Sequence, residues 1–190
     1  GVQTCALPIL ADTRAVADWL AQLAEALAED APRYASGMPQ VTTSGDWVTR
    51  HYTRFWQTTG FMTHGVPGFG VFAMNRTGRA RWGEWPDIIS DDTFARLNFR
   101  PEERIAVPAP YAWPMIEGFA PLVRVRRRQN IGVTEIRRLY PALAANDEKP
   151  PLGAAGKLRL ALNDPAGFAV YAGVALATRL GTDKGWSRGR

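Results

Sequence analysis

Asp91 and Asp92 are adjacent carboxylates set between Ile88-Ile89 and the apolar residues Phe94 and Leu97. Two like charges beside an apolar run repel one another and resist desolvation, so something must use or neutralise them. Ile88-Ile89 reads as the end of a buried strand, and Phe94 and Leu97 as the start of a helical face. The pair then falls at a strand-to-helix junction, a common place for catalytic groups in α/β folds. A carboxylate there can accept a proton from a substrate hydroxyl. The competing reading is a solvated helix N-terminus, where acidic side chains meet the positive end of the dipole.

Two further segments bear on that choice. Arg124-Val125-Arg126-Arg127-Arg128-Gln129-Asn130 places four arginines within five residues, on a stretch that also carries Leu122, Val123 and Val125. Such a cluster suits a phosphate-rich ligand, bound through charge-assisted and often bidentate hydrogen bonds. A solvated basic face, anionic lipid or nucleic acid would also suit it. No interleaved aromatic pattern or nucleic-acid motif accompanies the cluster, and no nucleic-acid partner is expected. Upstream, Gly60 to Gly70 is a glycine-rich loop that matches neither a dinucleotide fingerprint nor a P-loop. Gly68 and Gly70 can let the backbone approach a bulky ligand such as a sugar. His64 can contact that ligand or be an ordinary loop histidine, whereas His51 reads as structural. Trp82, Trp85 and Trp113 can stack on sugar rings or pack in the core.

These residues need elements to position them. Asp12–Asp30 reads as an amphipathic helix on Val16, Trp19, Leu20, Leu23 and Leu27, capped by Asp12 or Thr13. A short strand is expected over Pro39–Thr43. A helix capped by Ser44 should run to about Thr58, with Val48, Tyr52, Phe55 and Trp56 on one side. Val71–Met74 reads as a buried strand and Arg76–Arg79 as a turn. After the aspartates come a short helix to about Phe99 and a strand over Arg104–Pro108. Two helical pieces follow, Phe119–Gln129 and Thr134–Tyr140, then a Pro/Gly-rich connector over Asn146–Gly156. Ala166–Leu180 reads as an apolar helix, with a polar tail over Gly181–Arg190. That helix is shorter than the ~20 residues of a membrane span, so a packed core helix or an interfacial one is expected.

The 190 residues suffice for one domain with a core. The net charge of +5 is carried almost wholly by arginine, because Lys149, Lys157 and Lys184 are the only lysines. The preference suits anion binding; base-composition bias in a gene rich in Ala, Gly, Pro and Arg codons explains it equally. Cys5 is the single cysteine, which excludes a disulfide framework or a cysteine-based metal site. Residues 1–9, Gly-Val-Gln-Thr-Cys-Ala-Leu-Pro-Ile, read as the conceptual translation of a short-read sequencing adapter, and no initiator Met precedes them. They are set aside, and the chain is expected to lack its true N-terminal part.

Taken together, Gly68 to Arg76, then Pro86 to Leu97, then Arg124 to Gly132 resemble the C-terminal half of a family 2 glycosyltransferase of the GT-A type. In that family a Gly-rich segment and a strand precede an acidic pair, and a Q-x-x-R-W-like motif follows. The resemblance covers roughly Ala11 to Gly132, and Gly185 to Arg190 is similar to the end of some polysaccharide-synthesising members. It implies an α/β fold: a partial GT-A, Rossmann-like domain over 10–140, with a mixed sheet flanked by helices. A C-terminal helical extension of linker, apolar helix and polar tail fills 141–190.

By position, Asp92 matches the catalytic base and Asp91 its acidic neighbour. Arg127 and Arg128 lie near the motif's arginine, but Gln129 stands where its Trp would be. The implied reaction moves a sugar from a nucleotide-sugar donor to a hydroxyl of a glycan or lipid-linked acceptor, with inversion. Its setting would be polysaccharide or glycolipid synthesis in the cytoplasm, with peripheral contact at the cytoplasmic membrane face. The family holds Mg²⁺ or Mn²⁺ through an Asp-x-Asp motif, and none precedes the Asp12–Asp30 segment. The metal ligands are therefore expected upstream, and the chain alone is expected to be inactive. The competing class is a non-catalytic basic module that binds anionic membrane or nucleic acid.

Overall fold

Trp19 and Leu23, about one helical turn apart, seat the first helix, α1 (Thr13–Ala26), against the sheet, and both are buried. Leu20, between them in sequence, is 48% exposed, so the apolar stripe is narrower than its periodicity suggests. The structure, a computed structural model, describes residues 13–43, 45–69, 71–147 and 153–180. The expected caps Asp12 and Ser44, together with Gly70, the adapter-like segment and the polar tail, lie outside the described residues.

The sheet has three strands among the described residues, in the order β2-β1-β3. The central strand β1 (Tyr34–Thr42) pairs antiparallel with β2 (Ala73–Met74) and parallel with β3 (Arg104–Pro114). Helices flank it, so the fold is mixed α/β. Both long strands run further than Pro39–Thr43 and Arg104–Pro108. Pro108, Pro110 and Pro114 lie within β3, and proline is tolerated there because β3 is an edge strand among the described residues, where a missing N–H breaks no ladder. Along β3 the inward positions Val107, Ala109 and Tyr111 are buried and the prolines between them exposed, the period-two pattern of a half-buried strand. Where β1 shifts register, a Cβ on Gly37 would sit 2.5 Å from the Ala109 carbonyl oxygen and 2.6 Å from the Trp19 ring nitrogen. Only glycine lets α1, β1 and β3 meet this closely.

Helix α2 (Trp47–Trp56) starts later than expected because Asp46 caps it, accepting from the Thr49 N–H at 2.8 Å. Tyr52, Phe55 and Trp56 are buried as its spacing suggested. The glycine loop opens with a short helix, α3 (Gly60–Thr63), and the turn at Arg76–Arg79 is a helical turn, α4. Ile88-Ile89 is not a strand: residues 85–90 are irregular and lead into α5 (Asp91–Leu97). The two helical pieces around Gln129 and Thr134 are one continuous 21-residue helix, α6 (Phe119–Leu139). A 3₁₀ segment, Pro141–Asn146, follows it. Helix α7 (Ala154–Asn163), absent from the sequence reading, leads into α8 (Pro165–Leu180).

Helix α8 is packed into the domain. Phe55 meets Phe168 edge-on and Tyr52 stacks on Tyr171, with ring centroids 5.7 and 5.5 Å apart, and Val174 is 1% exposed. Arg54 makes a bidentate pair with Asp164 at 2.8 and 2.5 Å, and Asp164 in turn accepts from the Gly167 N–H at the start of α8. Among the described residues no helix is long and apolar enough to cross a membrane.

Candidate active site

The helix α6 organises the site. Ile89 donates its backbone N–H to the Glu135 carboxylate at 2.9 Å, which ties the irregular 85–90 segment to α6. Ser90, the residue before α5, is buried against Gly132 of the same helix. A Cβ at Gly132 would collide with the Ser90 hydroxyl and lie 2.9 Å from Ser90 Cβ and 3.1 Å from Ile89 Cγ2. Gly132 and Glu135 follow Arg128 by four and seven residues, so all three share one side of the helix. The contacts that anchor the aspartate loop and the arginine cluster are thus built on a single rigid element.

The outcome is a cavity of about 590 Å³. Asp91, Asp92 and Thr93 line one part of it, and Arg126, Arg128, Gln129 and Asn130 line another. Its apolar wall includes Trp56, Phe61, Phe69 and Trp113, with Tyr171 of α8 completing it. Phe69 stacks on Trp113 at 5.2 Å and also packs on Trp56 and Phe61. The volume falls within the ~300–1,000 Å³ of small-molecule sites, and the lining sets this aromatic wall opposite a polar side that carries charges of both signs.

Asp92 is half-buried and Asp91 exposed. Burial pushes the Asp92 carboxyl above the ordinary aspartate range, and repulsion from Asp91 adds to the rise. The Thr93 N–H, donating to Asp92 Oδ1 at 2.6 Å, and the Arg96 charge oppose it. Arg96 itself is buried and pairs with Asp147 at 3.2 Å, so its charge acts on Asp92 at longer range. Asp91 Oδ1 accepts from the Asp92 N–H at 2.9 Å, which holds the two carboxyl-bearing residues in a fixed relation.

The residues expected from the sequence divide. Asp91, Asp92, Arg128 and Gln129 line one cavity, as does Trp113. Arg127 points elsewhere: it donates to the carbonyls of Ala177 and Thr178 at 3.0 and 3.3 Å, near the end of α8. His64 is exposed, shares a hydrogen bond with Thr63, and stands apart from the cavity lining. Gly68 is buried beneath Tyr34, and its φ of +74° together with the nearness of the Tyr34 hydroxyl to any Cβ gives it a packing role. Gly68→Ala is expected to cost about 2 kcal/mol, read as a fall in Tm of about 5 °C. Trp82 and Trp85 belong to a separate aromatic cluster with Phe94, under the Arg79 guanidinium. His51 lies on α2, its ring bonded to the Trp47 carbonyl at 2.9 Å.

Several lining residues were not singled out from the sequence. Arg126, Asn130 and Val133 join the expected Gln129 in the i, i+3, i+4, i+7 spacing of one helix face, a signal visible only once α6 is read as continuous. Among the described residues no group of three or more His, Cys, Asp or Glu side chains is placed to hold a metal ion. Comparison with models of known families, with curated proteins and with solved structures finds no match.

Proposed function

We propose that this chain carries the acceptor-side part of an inverting glycosyltransferase, of the GT-A type and similar to family 2, with Asp92 as its base. The observation that carries the reading is the single cavity in which an aspartate pair and arginines from a segment more than thirty residues later meet across an aromatic wall. Ionised Asp92 takes the proton of an acceptor hydroxyl as that oxygen bonds to the anomeric carbon. The bond from that carbon to the donor's diphosphate oxygen breaks on the opposite face, which inverts the centre, and the electron pair leaves with the diphosphate. The proton is then released from Asp92 to solvent. Arg128, with Arg126 beside it, offsets negative charge in the cavity. Aromatic faces such as Trp113 suit the apolar face of a sugar ring.

The reading is tested by the complete gene product, incubated with a panel of nucleotide-sugars and hydroxyl acceptors. Transfer is expected, with the product anomer opposite to the donor's. Its rate should rise with pH along a limb set by Asp92, above the ordinary aspartate range because burial raises that group. Retention of configuration, or a rate insensitive to Asp92, would overturn the assignment.

A further inference from the structure

Beneath the Phe69–Trp113 pair the cavity continues into a smaller annex of about 130 Å³. Met115, Ile116 and Leu122 line the annex alone, while Trp113, Val125 and Gln129 line both spaces. At this size the annex is too small for a separate ligand site, which takes ~300 Å³ or more, but it suits an extension of one. Its walls do not suit a further sugar. Polar hydroxyls set against Met115 and Leu122 would lose their hydrogen bonds to water with no replacement from those apolar side chains. The two polar side chains on the shared rim, Arg126 and Gln129, already bond to each other at 2.8 Å. Ile116 and Val125 are 44% and 37% exposed, leaving apolar surface open at the mouth. Tyr52 also lines the annex, and its buried hydroxyl has no hydrogen-bond partner among the described residues.

We propose that the acceptor of this transfer carries a short apolar group, alkyl or aryl, beside its reactive hydroxyl, and that the annex holds that group. This rests on the transferase reading above. The hydroxyl then lies on the Asp92 side of the aromatic wall and the apolar group on the Met115 side. The annex selects acceptors by the hydrophobic effect, while the main cavity positions the reacting oxygen.

A primary alcohol carries both features without a choice of sugar, so ethanol, butanol and hexanol are the probes. The chain has four methionines, Met38, Met62, Met74 and Met115, and Met115 is the one in the annex lining. With methyl-labelled methionine, hexanol is expected to shift the Met115 signal and leave Met38 and Met74 in place. Affinity should rise by up to about fourfold for each added methylene. Ile116→Trp fills the annex and Val125→Asp places a charge in its wall. Both positions are partly exposed, and each change is expected to abolish the Met115 shift. Asp92→Asn is expected to preserve it. A length-dependent Met115 shift supports the annex whether or not transfer is observed. An unmoved Met115, or a shift unchanged in both filled variants, overturns the inference even where transfer is observed.

Discussion

Asp92→Asn is expected to lower kcat for transfer by about 10²–10⁴-fold, the usual contribution of a positioned base, and at the same time to raise Tm. The two effects share one cause. The folded protein holds the Asp92 carboxyl above its ordinary range, chiefly by burying it and also by setting Asp91 beside it. As pH rises, the unfolded chain therefore loses this proton first. Between the unfolded and folded values the native state binds more protons, so stability falls through that window and stays lower above it. Asparagine keeps the shape and can still accept from the Thr93 N–H, but carries no charge to desolvate. At neutral pH the variant should be inactive and more stable, and the stability gain should vanish at acid pH. A purely structural aspartate would give the reverse, with Tm falling on substitution. Circular dichroism melts at two pH values, beside a transfer assay, separate the cases.

Gly132→Ala is expected to cut transfer about 100-fold although it touches no ligand-facing atom. On propensity alone the change should strengthen α6 by about 1 kcal/mol, since mid-helix glycine is costly. The space decides otherwise. The new methyl would meet the Ser90 hydroxyl, Ser90 Cβ and Ile89 Cγ2, so the 89–90 segment must move away from α6. Asp91 and Asp92 follow directly in the chain and move with it, while Arg128 stays on the helix. The loss should appear in kcat. Ser90→Gly removes the obstructing side chain, and because Ser90 makes no side-chain cap to α5, that change by itself should cost only a few tenths of a kcal/mol. In the double variant much of the activity should return, a coupling that a double-mutant cycle reads directly. Additive losses would show that Gly132 does not position the aspartates.

The same glycine explains why part of the site was hard to read from sequence. Gly132, close to Asn130 and Thr134, reads as a break, and tertiary packing overrides that local preference in α6. With the helix divided, the face shared by Arg126, Gln129, Asn130 and Val133 disappears. Arg127 and Arg128 then look equivalent, although one serves the end of α8 and the other the cavity. The elements with strong periodicity were legible: α1, the buried side of α2, and the helix after the aspartates. Ile88-Ile89 misled because two β-branched residues mimic a strand end, whereas here they form an irregular segment held by Glu135. The aspartates and Trp113 were found by residue type. Trp56, Phe61, Phe69 and Tyr171 were not, because an aromatic that lines a cavity has the same sequence signature as one in a core.

The prolines of β3 bear on how this domain can meet other chains. A free strand edge normally offers alternating donors and acceptors, and a passing strand can read them as a template. Here Pro108, Pro110 and Pro114 delete the donors at every position they occupy on that border, leaving a row dominated by bare carbonyls. An incoming strand would have to bury N–H and C=O groups with too few counterparts. Strand pairing along the edge that β3 presents among the described residues is thereby disfavoured, and the carbonyls left there can only accept.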